Sequence, residues 1–327
     1  MQPGGIETLL GGHVGTLPVR NVVEVRIGVL IDQRPPVPEI CDQAAGLRDR
    51  GISSVWASNV FGYDALTLLA VVGQRVQGVE LGTAVVPVHS RVPQALAQQA
   101  LTVQSVTGGR LTLGVGLSHK AVVEGLWGLS FDRPVRYLHE YLESLLPMLR
   151  GEIADHQGEL VTARTLGPLE VPGAAPPSVV VAALGAQMLH VAGSLTDGTV
   201  TWMTGVETVA SHIVPTITAA AAAAGRPPPR VVVGLPVVVT ADAERARLRI
   251  DEALAIYPTL PSYRAMLDRE GASGPADISL VGDEAVVLTG LGRFADAGAT
   301  ELLASVIGST EERRRTTDLL SEHAYAN

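Results

Sequence analysis

The chain has one cysteine, Cys41, and one lysine, Lys120, in 327 residues. A lone cysteine excludes a disulfide framework and a thiolate metal cluster, and it fits a reducing, cytoplasmic compartment. No apolar run reaches the ~18 residues that a membrane-spanning helix needs, and no charged start leads into the apolar core of a signal peptide. Concentrated positive charge is missing too. The formal net charge is -9, and the one basic run, Arg313, Arg314 and Arg315, follows Glu311 and Glu312. That pattern describes a solvated helix face and argues against a nucleic-acid surface. Two site signatures are also absent. The turn after the first strand reads Leu30-Ile31-Asp32-Gln33 where a dinucleotide fold would place glycines, and no His-x-His pair offers a metal centre.

What is present is apolar and rhythmical. Hydrophobic residues make up 46% and charged residues 17%, enough for a large buried core. Residues 1–22 carry five glycines without sustained periodicity and read as an extension; residues 23–327 read as a single domain. Strands are expected at 24–31, 53–57, 79–86, 111–115, 179–183, 199–202, 231–239 and 301–306. A helical segment follows each, with loop-rich insertions at 151–177 and 258–279. Eight near-continuous apolar strands alternating with helices predict an α/β fold, a closed (β/α)8 TIM barrel with insertions.

In such a barrel the residues at the carboxyl ends of the strands share one mouth. Those positions hold Asp32, then Ser58 and Asn59, then His89 and Ser90, then Ser118 and His119, then Trp202 and Met203. Asp32, His89 and His119 are the titratable candidates for moving a proton. Gly185 opens a helix after the fifth strand, so the N–H groups of Ala186, Gln187 and Met188 can hold a phosphate there. Trp202, Trp127 and Phe61 are candidates to wall the substrate side. No metal ligand set is expected.

Four separated motifs carry a resemblance. The run from Gly82 to Glu152, including GGRLTLGVGLSH, resembles the luciferase-like monooxygenase superfamily, in particular the actinobacterial branch that uses the deazaflavin coenzyme F420. The similarity continues at AALGAQMLHVAGSLTDGTVTWMTG (Ala182 to Gly205), at Pro261 to Val287, and at FADAGATEL (Phe294 to Leu302). It implies a barrel binding F420 or FMN at the strand carboxyl ends, acting on a small-molecule substrate, usually as a homodimer. It also implies a non-proline cis peptide at Ala84-Val85, against which the cofactor ring packs, and a phosphate at Gly185, Ala186 and Gln187, with Asn59, Ser118, Thr201 and Trp202 close by. Hydride transfer between reduced deazaflavin and substrate is the leading expectation. An FMN-dependent monooxygenase and a non-catalytic binding subunit are the alternatives. Two departures favour the last: Asn59-Val60 stands where many relatives have Asp-His, and Gly185-Ala186-Gln187 lacks the cation of the usual phosphate loop.

Overall fold

The computed structural model describes residues 25–324. The expected extension at 1–22 lies outside the described residues. The first half runs β1 (Arg26–Leu30), α1 (Val37–Asp49), β2 (Ser54–Ala57), α2 (Ala65–Arg75), β3 (Glu80–Thr83), β4 (Val86–Pro87), α3 (Pro93–Thr107), β5 (Leu111–Gly116), α4 (Lys120–Gly125) and α5 (Pro134–Leu149). A hairpin, β6 (Asp155–Gln157) and β7 (Thr162–Arg164), interrupts the rhythm. The second half runs β8 (Ser178–Ala182), α6 (Ala186–Leu195), β9 (Gly198–Trp202), α7 (Val206–Thr208), α8 (Val214–Ala223), β10 (Arg230–Val239), α9 (Ala243–Ala253), α10 (Pro261–Glu270), β11 (Leu280–Gly282), α11 (Glu284–Asp296), β12 (Glu301–Val306) and α12 (Thr310–Ala324).

All strands of the main sheet are parallel, and β1 pairs with both β2 and β12, which closes the sheet into an eight-position barrel. Alternation along each strand sorts the side chains. Ile27, Val29, Val55, Leu113, Val181 and Val233 face the helices and form the main core. Trp56, Val180, Val200, Val232 and Leu303 face the barrel axis with Leu30, Ala84 and Val85. Trp56 fits on the axis because its β3 partner is Gly82, where a Cβ would lie 2.3 Å from the indole, and because Gly28, two residues before its β1 partner Leu30, leaves room for the indole nitrogen, 3.0 Å from where a Cβ would sit.

Below Trp56, at the amino-terminal end, the axis is polar. Glu301 is 1% exposed and pairs with Arg230 at 3.0 Å, while Ser54 Oγ and Trp56 Nε1 donate to its other oxygen. Arg230 also donates to Thr112 Oγ1 at 3.0 Å and Ser178 Oγ at 3.3 Å. The charge network fills the axis at this end, where the ladders pair Arg26 with Glu301 and Arg230 with Gly198.

Several details depart from the strand and helix expectations. The strand at 79–86 is broken in two, because the Ala84-Val85 peptide is cis and takes both residues out of the ladder. The insertion at 258–279 contains a true helix, α10. Its only buried side chains are Met266 and Leu267, too narrow an apolar stripe to announce a helix in sequence. An extra strand, β11, pairs with β10 at Val237 to Val239, beyond the point where β9 stops pairing. A π-helical turn, Val209–Ile213, divides the helix expected over 207–224. No helix among the described residues is long and apolar enough to cross a membrane.

Candidate active site

The upper layer of the barrel axis is built from small residues. By alternation, Leu30, Ser58, Gly116, Ala182, Trp202 and Gly234 point inward there, together with Ala84 and Val85 from the break in the third strand. A Cβ on Gly116 would meet Val85 Cγ2 at 2.8 Å and Ala182 Cβ at 3.0 Å. A Cβ on Gly234 would meet the six-membered ring of Trp202 at 3.1 Å. These glycines let Val85, Ala182 and Trp202 pack closely across the axis, and Ala84, Val85 and Trp202 stand at the mouth.

Helix α6 opens at the rim of the mouth, directly after β8. Gly185 is its N-cap, no side chain caps it, and Gly185, Ala186 and Gln187 are exposed. The first-turn N–H groups therefore present partial positive charge to the mouth, an arrangement suited to an anion. Ser118, at the exit of β5, has φ 63°, a left-handed conformation that turns the chain sharply into the loop before α4.

The titratable candidates differ in their commitments. The Asp32 carboxylate is held below its usual range by hydrogen bonds from Arg34, and Arg313 stands 3.4 Å away. It stays ionised and has no proton to give. His89 is buried, and its Nδ1 donates to Leu117 O at 3.0 Å, which leaves the lone pair on Nε2. Burial pushes its pKa down, its ring stacks on Tyr137 at 4.4 Å and Phe131 at 5.4 Å, and Nε2 has no hydrogen-bond partner. Burial also pushes the His119 pKa down. Both histidines are neutral near pH 7 and able to accept a proton.

Two of the expected cofactor residues point elsewhere. Asn59 Oδ1 accepts from Ala65 N at 3.0 Å and so serves the start of α2. Thr201 sits between Val200 and Trp202, which face the axis, so its side chain faces the helical layer. Its Oγ1 is buried there without a hydrogen-bond partner. Phe61 is 71% exposed and walls nothing, and Trp127 is half-buried in the loop after α4.

Sequence reasoning missed Tyr257 and Tyr263. Their rings meet edge to face at 4.9 Å; Tyr257 stands 6.2 Å from Trp202, and Tyr263 stands 5.9 Å from His119. Aromatics are only 4% of the chain, and two tyrosines within one insertion were the available signal.

A groove of about 710 Å³ lies outside the mouth, between α5 and α6, and Gln187 lines one edge. Arg133 and Arg136 line it as well, but Glu159 and Glu140 engage them. Glu140 is pulled toward higher pKa by burial, yet Arg136 and three backbone N–H groups hold it at about 2. The groove's cations are thus spent on anchoring the β6–β7 hairpin.

A family model described as luciferase-like monooxygenase matches residues 19–315. A Mycobacterium tuberculosis protein named as a coenzyme F420-dependent oxidoreductase is 38% identical over 108 residues, 33% of this chain. The match spans 31% of that relative's length. The solved F420-dependent tetrahydromethanopterin reductase from Methanopyrus kandleri superposes with a TM-score of 0.77 at 19% identity, covering 91% of this chain and 98% of the other. The FMN-bound oxygenating constituent of 3,6-diketocamphane monooxygenase from Pseudomonas putida gives 0.71 at 16% identity, covering 92% and 97%. At these identities the structural likeness is one of fold.

Proposed function

The chain belongs to the luciferase-like monooxygenase family, and we propose that it is a deazaflavin-dependent oxidoreductase, moving a hydride between reduced coenzyme F420 and a small organic substrate. The observation that carries this reading is the break in the third strand at Ala84-Val85 together with the uncapped start of α6 at the same mouth. A flat ring with a phosphate arm fits both parts. The M. tuberculosis relative named for F420 use tips the choice of ring toward the deazaflavin.

In this reading Ala84 and Val85 carry one face of the ring, and the N–H groups at Gly185 to Gln187 hold the phosphate. The bound coenzyme supplies the hydride chemistry. The chain contributes orientation and a dry wall. His119, half-buried at the rim with its ring beside Tyr263, is the side chain proposed to relay a proton from water to the substrate after hydride transfer; Asp32 keeps Arg313 beside the mouth. His89 works as a support whose ring stacks on Tyr137.

The rival reading, an FMN-dependent monooxygenase, draws on the diketocamphane enzyme's fold. Titrating the purified chain with each coenzyme, followed by fluorescence, tests the choice. Saturable binding of F420 with weaker binding of FMN is expected; tight binding of FMN alone overturns it. Binding of neither would favour a non-catalytic subunit. A homodimer in the cytoplasm, without nucleic-acid partners, belongs to the same proposal, and sedimentation of the purified chain at twice the monomer mass is the expected result.

A further inference from the structure

An arc of aromatic rings, Trp202, Tyr257, Tyr263 and His119, spans the mouth from the end of β9 to the end of β5, the strand that pairs with β4 beside Val85. Tyr257 and Tyr263 come from the insertion between α9 and β11, which therefore roofs this side of the barrel. By contrast, Val60 and Phe61 after β2 stand 63% and 71% exposed, so the mouth is open on that side.

The roof is braced. The Glu270 carboxylate, at the end of α10, accepts from Glu207 N at 3.1 Å and Thr208 N at 2.7 Å, capping the turn after β9. Gly205 makes room for it, since a Cβ there would lie 2.2 Å from the carboxylate carbon. Arg264 donates to Ala272 O at 2.9 Å, and Leu267 packs with Met203 and Ile278. A wall fixed this way holds its shape before substrate arrives, which is what selectivity by fit requires.

Most of the roof's charged groups are committed elsewhere, and Arg269 is exposed. Arg264 pairs with Asp268, Glu270 caps the turn, and Asp251 accepts from Ala276 N. The arc itself contains no lysine, arginine or carboxylate; its Trp202, Tyr257 and Tyr263 rings pack on Met203, Leu267 and Ile278, and Trp202 Nε1 is buried without a hydrogen-bond partner.

Resting on the oxidoreductase reading, we propose that the substrate is an uncharged, flat, conjugated carbonyl compound lying against the Trp202–Tyr257–Tyr263–His119 arc, with Tyr263 the residue that sets this preference. In the reducing direction a C–H bond forms at the carbonyl carbon as the hydride leaves reduced deazaflavin. The C=O π pair moves to oxygen, and a proton from water completes the alcohol. An ionised substrate would lose hydration against these rings, and the Arg313 cation beside the mouth is already paired with Asp32; a puckered one would forfeit the face-to-ring contact.

Equilibrium dialysis of the purified chain, with and without oxidised coenzyme, against tetralone, decalone and a carboxylated tetralone tests this. Tetralone should bind about tenfold more tightly than either companion. Tyr263→Ala should erase the preference and Tyr263→Phe should keep it; Tyr263→Leu, which retains apolar bulk, carries the same expectation as the alanine variant if that one does not fold. Equal or tighter binding of the carboxylated probe, or a preference that survives loss of the ring, overturns the proposal. Failure of the coenzyme to bind counts against the oxidoreductase reading alone, because the order of the probes is also read on the coenzyme-free chain.

Discussion

At the amino-terminal end of the barrel Glu301 is buried and both its oxygens are engaged, by Arg230, Ser54 and Trp56. At the carboxyl-terminal end His89 Nε2 and Thr201 Oγ1 are also buried and have no partner. One chain thus treats buried polar atoms in two ways. An unmatched buried polar group costs about 1–3 kcal/mol, whereas a matched one is close to neutral or favourable. The lower end holds the barrel shut; the upper end carries polar atoms and bare helix N–H groups that contribute little to folding. Stability and function are therefore separable along the barrel axis.

The sharpest break of this contrast is Glu301→Ala. Removing the carboxylate strands Arg230 in the barrel, and the expected loss is about 3–5 kcal/mol in urea unfolding. A loss under about 1 kcal/mol would mean that water reaches the lower end and the plug is not what closes it. At the other end Ala186→Asp should act in opposite directions on folding and binding. A carboxylate in the first turn of α6 stabilises the helix by about 0.3–1 kcal/mol. The same charge should cut coenzyme affinity by about tenfold or more through repulsion of the phosphate. Loss of stability together with unchanged affinity would place the anion elsewhere.

A finer comparison lies within β9. Thr199 and Thr201 face the same layer, but Thr199 Oγ1 donates to Val181 O at 2.8 Å and Thr201 Oγ1 has no partner. Replacing Thr199 by valine should cost about 1 kcal/mol, while Thr201→Val should be neutral or stabilising by up to about 1 kcal/mol. Equal effects in thermal or urea melts would erase the distinction. The smallest effect is one of pH. Burial lowers the pKa of His89 and His119 from the ordinary value near 6.5. The unfolded chain then binds more protons below about pH 6.5, so stability is full above that value and falls as the medium is acidified toward the depressed pKa values. His89→Phe keeps the stack on Tyr137 and removes one titration. It should flatten part of the fall between about pH 7 and 5.5, and an unchanged slope would show that His89 is solvated.

The barrel was legible because its strands are short, mostly apolar runs, each followed by a helical pattern. The location of Ala84-Val85 came from resemblance, since nothing in the local composition marks it. What escaped had physical reasons. Helix α10 has two buried residues and begins at Pro261, so it reads as a loop. Strand β11 has three residues, fewer than alternation needs to show. Asn59 was placed at the mouth by its position after β2 and Thr201 by resemblance; Asn59 instead accepts from Ala65 N at the start of α2, and one step of alternation turns Thr201 toward the helices. Tyr257 and Tyr263 reach the mouth from a segment far along the chain, and only the fold brings them to Trp202 and His119.

The central claim is that backbone N–H groups at the start of α6 hold the phosphate of a deazaflavin whose ring rests on Ala84-Val85. Its most direct test is to compare, by isothermal titration, the affinity of the chain for F420 and for the same deazaflavin riboside without its phosphate arm. The account predicts that the phosphorylated form binds at least about tenfold more tightly and that Ala186→Asp abolishes the difference. Equal affinity of the two forms for the unaltered chain would contradict it.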